Sequence, residues 1–145
     1  MEIRRPEVSE QVSPVSAVPG VRSRVVALLQ GMTRFGNLVM EGRDIGTVVF
    51  PDAFCKFYLD ASPDERARRR HAEFDQLRIA SASMNDVRDS LSRRDRRDSA
   101  RATAPLRVAD DAVVIDSTSM GVEDVVRTIL ARVTATSLAR GGPAA

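Results

Sequence analysis

Three short apolar runs, separated by helix-length stretches and each stopped by charged residues, constrain this chain more than anything else in it. They are Leu38-Val39-Met40, running into Glu41-Gly42-Arg43-Asp44; residues 54–59, closed by Asp60; and residues 112–115, closed by Asp116. Brief apolar runs of this kind read as strands covered on both faces. Their alternation with helices predicts an α/β protein built on a parallel sheet. In such sheets ligands gather at the carboxyl ends of the strands, so the polar residues after each run are candidates for chemistry. Ordinary capping accounts for Asp60 and Asp116. Arg43-Asp44 stands apart, because an arginine at a buried strand end needs an anionic partner.

The helices are read from periodicity and caps. Val8, Val12 and Val15 predict a short helix ended by Pro19. A second starts near Val21, with Val25, Leu28, Leu29 and Met32 on its apolar side, and breaks at Gly31 and Gly36-Asn37. Residues 45–52 read as a loop or brief helix. Ser62 caps a third helix with Pro63 at its first position, and Glu65 completes a capping box. Residues 78–85 read as loop, followed by a polar helix from Asp86 to Ala102, ended before Pro105. The last helix carries Val122, Val125, Val126, Ile129, Leu130 and Val133 on one face, and the tail from Thr136 is expected to be disordered.

Composition excludes several classes. With 22 basic and 20 acidic residues, the chain is neither a polybasic nucleic-acid tail nor an acidic disordered segment. Scarce aromatics (4%) and interleaved aspartates argue against an RNA- or DNA-binding module. The single Cys55 excludes an internal disulfide framework and a Cys-rich zinc site, and the single His71 a two-His metal helix. Cys55 reads as a small buried residue in its strand, and His71 as part of an exposed helix. No apolar run approaches the roughly 20 residues of a membrane span, and no apolar signal core opens the chain, so a cytoplasmic location is expected. Lys56 is the only lysine, and the remaining positive charge is arginine, whose planar fork grips phosphate bidentately.

The segment 92–101, SRRDRRDSAR, puts Arg94, Asp98 and Arg101 at i, i+4 and i+7, two guanidiniums flanking one carboxylate. Spacing alone favours a solvated face held by ion pairs worth about 0.3–0.5 kcal/mol each. The sharper reading is a nucleoside monophosphate site, with the arginines on a phosphate and the aspartate on a sugar hydroxyl or base amine. Arg66 and Arg70, one turn apart, suit a helical flap that neutralises charge in phosphoryl transfer; a surface salt-bridge helix is the plainer alternative.

Together these segments resemble bacterial cytidylate kinase, a P-loop nucleoside monophosphate kinase. The resemblance rests on GRDIGTVVFPDA (42–53), KFYLDAS (56–62), ERARRR (65–70), RRDRRDSARATAPL (93–106) and DAVVIDST (111–118), collinear from Glu2 to about Val133. It implies an ATP-dependent (d)CMP kinase. Arg22, Asp44, Asp98 and Ser13 would read cytosine and sugar, Arg43, Arg94 and Arg101 would hold the acceptor phosphate, and Arg4 is a further candidate. Arg66 and Arg70 would belong to the lid over ATP, and Arg43, Arg94, Arg101, Arg66 and Arg70 would serve catalysis. The whole protein is expected to be a monomer.

One departure stands out. Family members begin with a G-x-x-x-x-G-K-[ST] loop that holds the ATP phosphates and Mg²⁺, and no such string occurs here. The resemblance therefore implies the C-terminal portion of the enzyme: 1–36 the end of the CMP-binding insert and following helices, 37–62 core strands, 63–102 lid and arginine helix, 103–135 last strand and helix, 136–145 the tail. The P-loop fold would be incomplete, without its phosphate-loop strand and helix, and no metal ligand is assigned to these residues. Such a chain is expected to be marginally stable and unable to turn over ATP alone. The alternative is a non-catalytic remnant, or half of a split enzyme that binds a nucleotide or a partner chain.

Overall fold

The computed structural model describes residues 6–78 and 83–139, an α/β arrangement of five α-helices and one two-stranded parallel sheet among those residues. Helix α1 (Pro6–Ser16) is followed by α2 (Pro19–Gln30). Pro19 opens α2, where its missing N–H costs nothing. A 3₁₀ turn, Gly31–Phe35, closes at Gly36, whose φ of 106° is a conformation glycine reaches without strain.

Residues 38–40 correct the sequence expectation. They form no strand, and Val39 is fully exposed. A strand exists only where a neighbour takes up its backbone groups, and among the described residues none pairs with this run. The chain instead turns at Asp44, whose carbonyl accepts from the amides of Thr47, Val48 and Val49 at 3.3, 2.9 and 3.2 Å. This π-helical turn, Ile45–Val49, is pinned by Val49, the most deeply buried large side chain.

Strands β1 (Phe57–Asp60) and β2 (Val113–Asp116) pair in parallel, with Phe57 opposite Val113 and Asp60 opposite Asp116. The second apolar run thus enters the ladder only at Phe57, leaving half-buried Cys55 ahead of the strand. Both strands end level. There Asp116 accepts from the amide and hydroxyl of Thr118 (2.9 and 2.6 Å), and the Asp60 carboxylate from the amide of Ala61 (2.9 Å), which is capping.

Helix α3 (Pro63–Gln76) starts at Ser62, whose hydroxyl accepts from Glu65 N–H at 3.3 Å. The predicted capping box is only half made. Ser62 N–H donates to Thr118 Oγ1 (2.9 Å), and the Glu65 carboxylate is drawn to Arg68 and Arg69. The full box lies at Ser83 and Asp86, so α4 (Met84–Ser99) begins within the segment expected to be loop. It ends before Ala102, where Leu106 N–H turns back to the Asp98 carbonyl (2.9 Å). α3 and α4 pack through Ala67, Phe74 and Val87, with Leu91 alongside. Helix α5 (Val122–Ala139) continues past Thr136, where a disordered tail was expected to begin. None of its residues is buried.

Candidate functional site

The periodicities of α1 and α2 predict helices correctly, but the residues they bury are polar. Val8, Val12 and Val15 are exposed and Ser13 is buried, and in α2 the buried residue is Arg22. These two face the Asp44 turn and the C-terminal half of α4, and the site forms where the four elements meet.

Asp98 is its centre, 3% exposed. One carboxylate oxygen accepts from the Ser13 hydroxyl. Arg43 Nε stands 3.4 Å and Arg94 Nε 3.8 Å from the other oxygen, and Arg101 Nε 4.0 Å from the first. Burial corrects the solvated-face reading of the arginine helix in part: Arg94, Asp98 and Arg101 do share a face, on which Asp98 and the Arg101 side chain are buried and Arg94 is half-buried. Arg101 is anchored by Ser16, whose hydroxyl accepts from its Nη1 at 3.1 Å and donates to the Ser13 carbonyl at 3.0 Å. Beside them the buried pair Arg22–Asp44 closes the wall.

These groups line a cavity of about 180 Å³, below the roughly 300–1,000 Å³ of typical small-molecule sites. Four guanidiniums (Arg22, Arg43, Arg94, Arg101) and three carboxylates (Glu41, Asp44, Asp98) line it, four against three, with Glu41 exposed to solvent. Asp44 is committed to Arg22, so one buried carboxylate is shared among three arginines. Burial lowers the pKa of Arg94, and the Arg43 charge lowers it further, against the pull of Asp98. Burial does the same to Arg22, with help from Arg101. Arg94 Nε and Arg101 Nη2 are buried without a hydrogen-bond partner. Buried donors in that state call for an acceptor, and the cavity is where an anion would supply it. The chain is tight just before Arg43: a Cβ at Gly42 would come within 2.8 Å of the Ile45 side chain.

Arg66 and Arg70 lie apart from this cavity, along α3, where they line a second space of about 280 Å³ with Arg69, Glu73 and Leu91. Arg66 pairs with Asp95 (2.6 Å), and that bond is the main reason its pKa is raised. Arg70 pairs with Glu73 (2.6 Å) and stacks over the Phe74 ring at 4.6 Å. Arg69 ties α3 to the end of β2 by donating to the Ser117 hydroxyl (3.0 Å) and carbonyl (2.6 Å). Lys56 lines neither cavity. It grips Asp111 at 2.8 Å and donates to the Pro51 carbonyl. His71 is half-buried and pairs with Asp75 (3.2 Å). Arg4 lies outside the described residues.

Two residues, one in the cavity wall and one beside it, escaped sequence reasoning. Ser16 sits one turn after Ser13, and Asp95 one turn before Asp98; the helical spacing was there to be read, but acid and hydroxyl side chains at such spacing are common on solvated faces.

A parallel α/β chain with an arginine-rich cavity at a helix face has the charge and the donors to hold an anion. Comparison with known proteins narrows this. The model of the family described as cytidylate kinase matches residues 1–135, and the chain belongs to that family. A protein named cytidylate kinase from Pelotomaculum thermopropionicum is 52% identical over 134 residues, covering 92% of this chain and 59% of that protein. Proteins of the same name from Geobacter sulfurreducens and Streptococcus sanguinis are each 48% identical, over 85% and 86% of this chain and 52% and 55% of their own lengths. The chain thus spans between half and three-fifths of the curated relatives it matches.

Proposed function

We propose that residues 1–145 form the acceptor-nucleotide side of a (d)CMP kinase with the P-loop nucleoside monophosphate kinase fold, acting in the cytoplasm and monomeric when whole. The reaction transfers the γ-phosphoryl group of ATP in line to the phosphate of CMP or dCMP, giving (d)CDP. Positioning and charge neutralisation carry it, with no covalent intermediate. One observation carries the reading: the buried Asp98 carboxylate shared by Arg43, Arg94 and Arg101 at a cavity into which guanidinium donors remain unsatisfied.

In this reading Arg43, Arg94 and Arg101 take the acceptor phosphate, and planar guanidiniums match its oxygens two at a time. Ser13, Arg22, Asp44 and Asp98 are fitted to cytosine and sugar, offering two carboxylate acceptors, one hydroxyl and one cationic donor. Arg66 and Arg70 neutralise charge on the donor side. The ATP phosphates, with the Mg²⁺ that accompanies them, are held mainly by polypeptide outside these residues. The sequence contains no G-x-x-x-x-G-K-[ST] string. The chain alone is therefore expected to bind the acceptor without phosphorylating it. A second reading, half of a split enzyme or a non-catalytic remnant, draws on the open apolar faces of the sheet and α5, where Val114 and Leu130 are more than half exposed.

Calorimetric titration tests the reading. CMP and dCMP are expected to bind saturably and AMP not to, with no (d)CDP formed when ATP and Mg²⁺ are added. Equal binding of AMP, or none of CMP, would overturn it.

A further inference from the structure

Asp95 stands between the two arginine groups and belongs to neither cavity lining. One of its oxygens meets Arg66 Nη1 of α3 at 2.6 Å, and the other faces Arg43 Nη1 of the acceptor cavity at 3.4 Å. The oxygen facing Arg43 is buried and accepts no hydrogen bond, and Arg43 divides its charge between Asp95 and Asp98. One carboxylate is therefore shared unequally by a cavity arginine and a flap arginine. The bond to Arg66 is made, and the one to Arg43 falls just beyond good hydrogen-bond length.

Resting on the proposed acceptor site, we infer that Asp95 is a positioning residue that couples occupancy of that cavity to Arg66. An anion in the cavity offers Arg43 stronger acceptors than Asp95 does. Arg43 then turns to the anion, and the Asp95 charge passes to Arg66 alone. Filling the acceptor site thereby tightens the hold of α4 on α3 and orders the arginine expected to face the donor phosphates. No backbone movement is needed, because all three side chains are already in reach. The coupling is reciprocal, as linkage requires: an Arg66 held by Asp95 leaves Arg43 freer to take an anion.

The arginine side-chain Nε–Hε signals of the ¹⁵N-labelled chain read this directly. Titration with CMP, and separately with inorganic phosphate, is expected to shift Arg43 and Arg66 with one common midpoint. In Asp95→Asn the Arg43 shift should persist and the Arg66 shift disappear. Saturating ligand that moves Arg43 and leaves Arg66 unmoved, or that moves Arg66 equally in Asp95→Asn, overturns the coupling while the acceptor site stands. If neither ligand moves Arg43, the acceptor reading fails, and Arg43→Gln then decides the coupling without any ligand. Removing the claim of Arg43 on Asp95 should shift the Arg66 signal and slow its hydrogen exchange several-fold, with the amide spectrum otherwise retained. An unchanged Arg66 signal in that variant contradicts the proposal.

Discussion

The arginine cluster on α4 and the apolar faces of α5 and the sheet have opposite fates. Charged and hydroxyl side chains are the buried ones around Asp98, where Ser13, Arg22 and Asp44 are all 9% exposed or less. Across the molecule Val122, Leu130, Val114 and Leu59 are each more than half exposed. Hydrophobic free energy follows area removed from water, at about 25 cal/mol per Å², so an apolar face yields it only when another layer covers that face. Among the described residues α5 and the sheet lack such a layer. The polar cluster is held without one, by charges and hydrogen bonds that cross four elements, and the donors it leaves over face its own cavity. Polarity of a residue type therefore does not locate the interior of this chain; the presence of a complementary neighbour does.

Substitution at the centre of the cluster should be the most damaging. Asp98→Ala leaves three arginines around a void and is expected to cost about 3–5 kcal/mol, as does breaking a buried ion pair elsewhere, measured by urea unfolding. A loss below about 1 kcal/mol would mean that solvent screens the cluster and that the contrast is false. Phe74→Ala removes the largest side chain of the small α3–α4 core, together with its stacking on Arg70, and should cost about 3 kcal/mol.

A smaller effect is expected from pH. Arg68 and Arg69 hydrogen-bond the half-buried Glu65 carboxylate and hold its pKa at about 2 against an ordinary 4.5. A depressed carboxylate pKa stabilises the fold above the ordinary value, and that stability is lost as pH falls from 4.5 through about 2. Glu65→Gln should flatten that part of the acid-unfolding profile and leave the profile near neutrality unchanged. A parallel profile in the variant would show that the Glu65 pairs contribute nothing to it. The smallest effect belongs to the open face: Val114→Ser should change stability by less than about 0.5 kcal/mol. A cost of several times that would show the sheet to be covered in solution.

Legibility from sequence divides along the same line. Cap chemistry and periodicity located all five helices to within a few residues, and two of three strands followed from apolar runs at 54–59 and 112–115. The third run, 38–40, fails because a strand is a property of a pair, and no run among the described residues pairs with it. The box at Ser83 and Asp86 is hidden in a polar stretch, where a serine and an aspartate three residues apart suit a loop as well as a helix start. The arginine motif at 94–101 was legible as a face, and its burial was not, since spacing alone does not distinguish a solvated ion-pair row from an enclosed one. What enclosed it was Ser13 and Ser16 from α1, some eighty residues earlier in the chain, and no local pattern encodes that contact.

The cluster around Asp98 is proposed to be a phosphate site. A crystal structure of the chain soaked or grown with CMP tests that most directly. The predicted result has the CMP phosphate within hydrogen-bond distance of Arg43, Arg94 and Arg101, with cytosine and sugar toward Arg22, Asp44 and Ser13. CMP bound along α3 against Arg66 and Arg70, with the Asp98 pairs undisturbed, would contradict it.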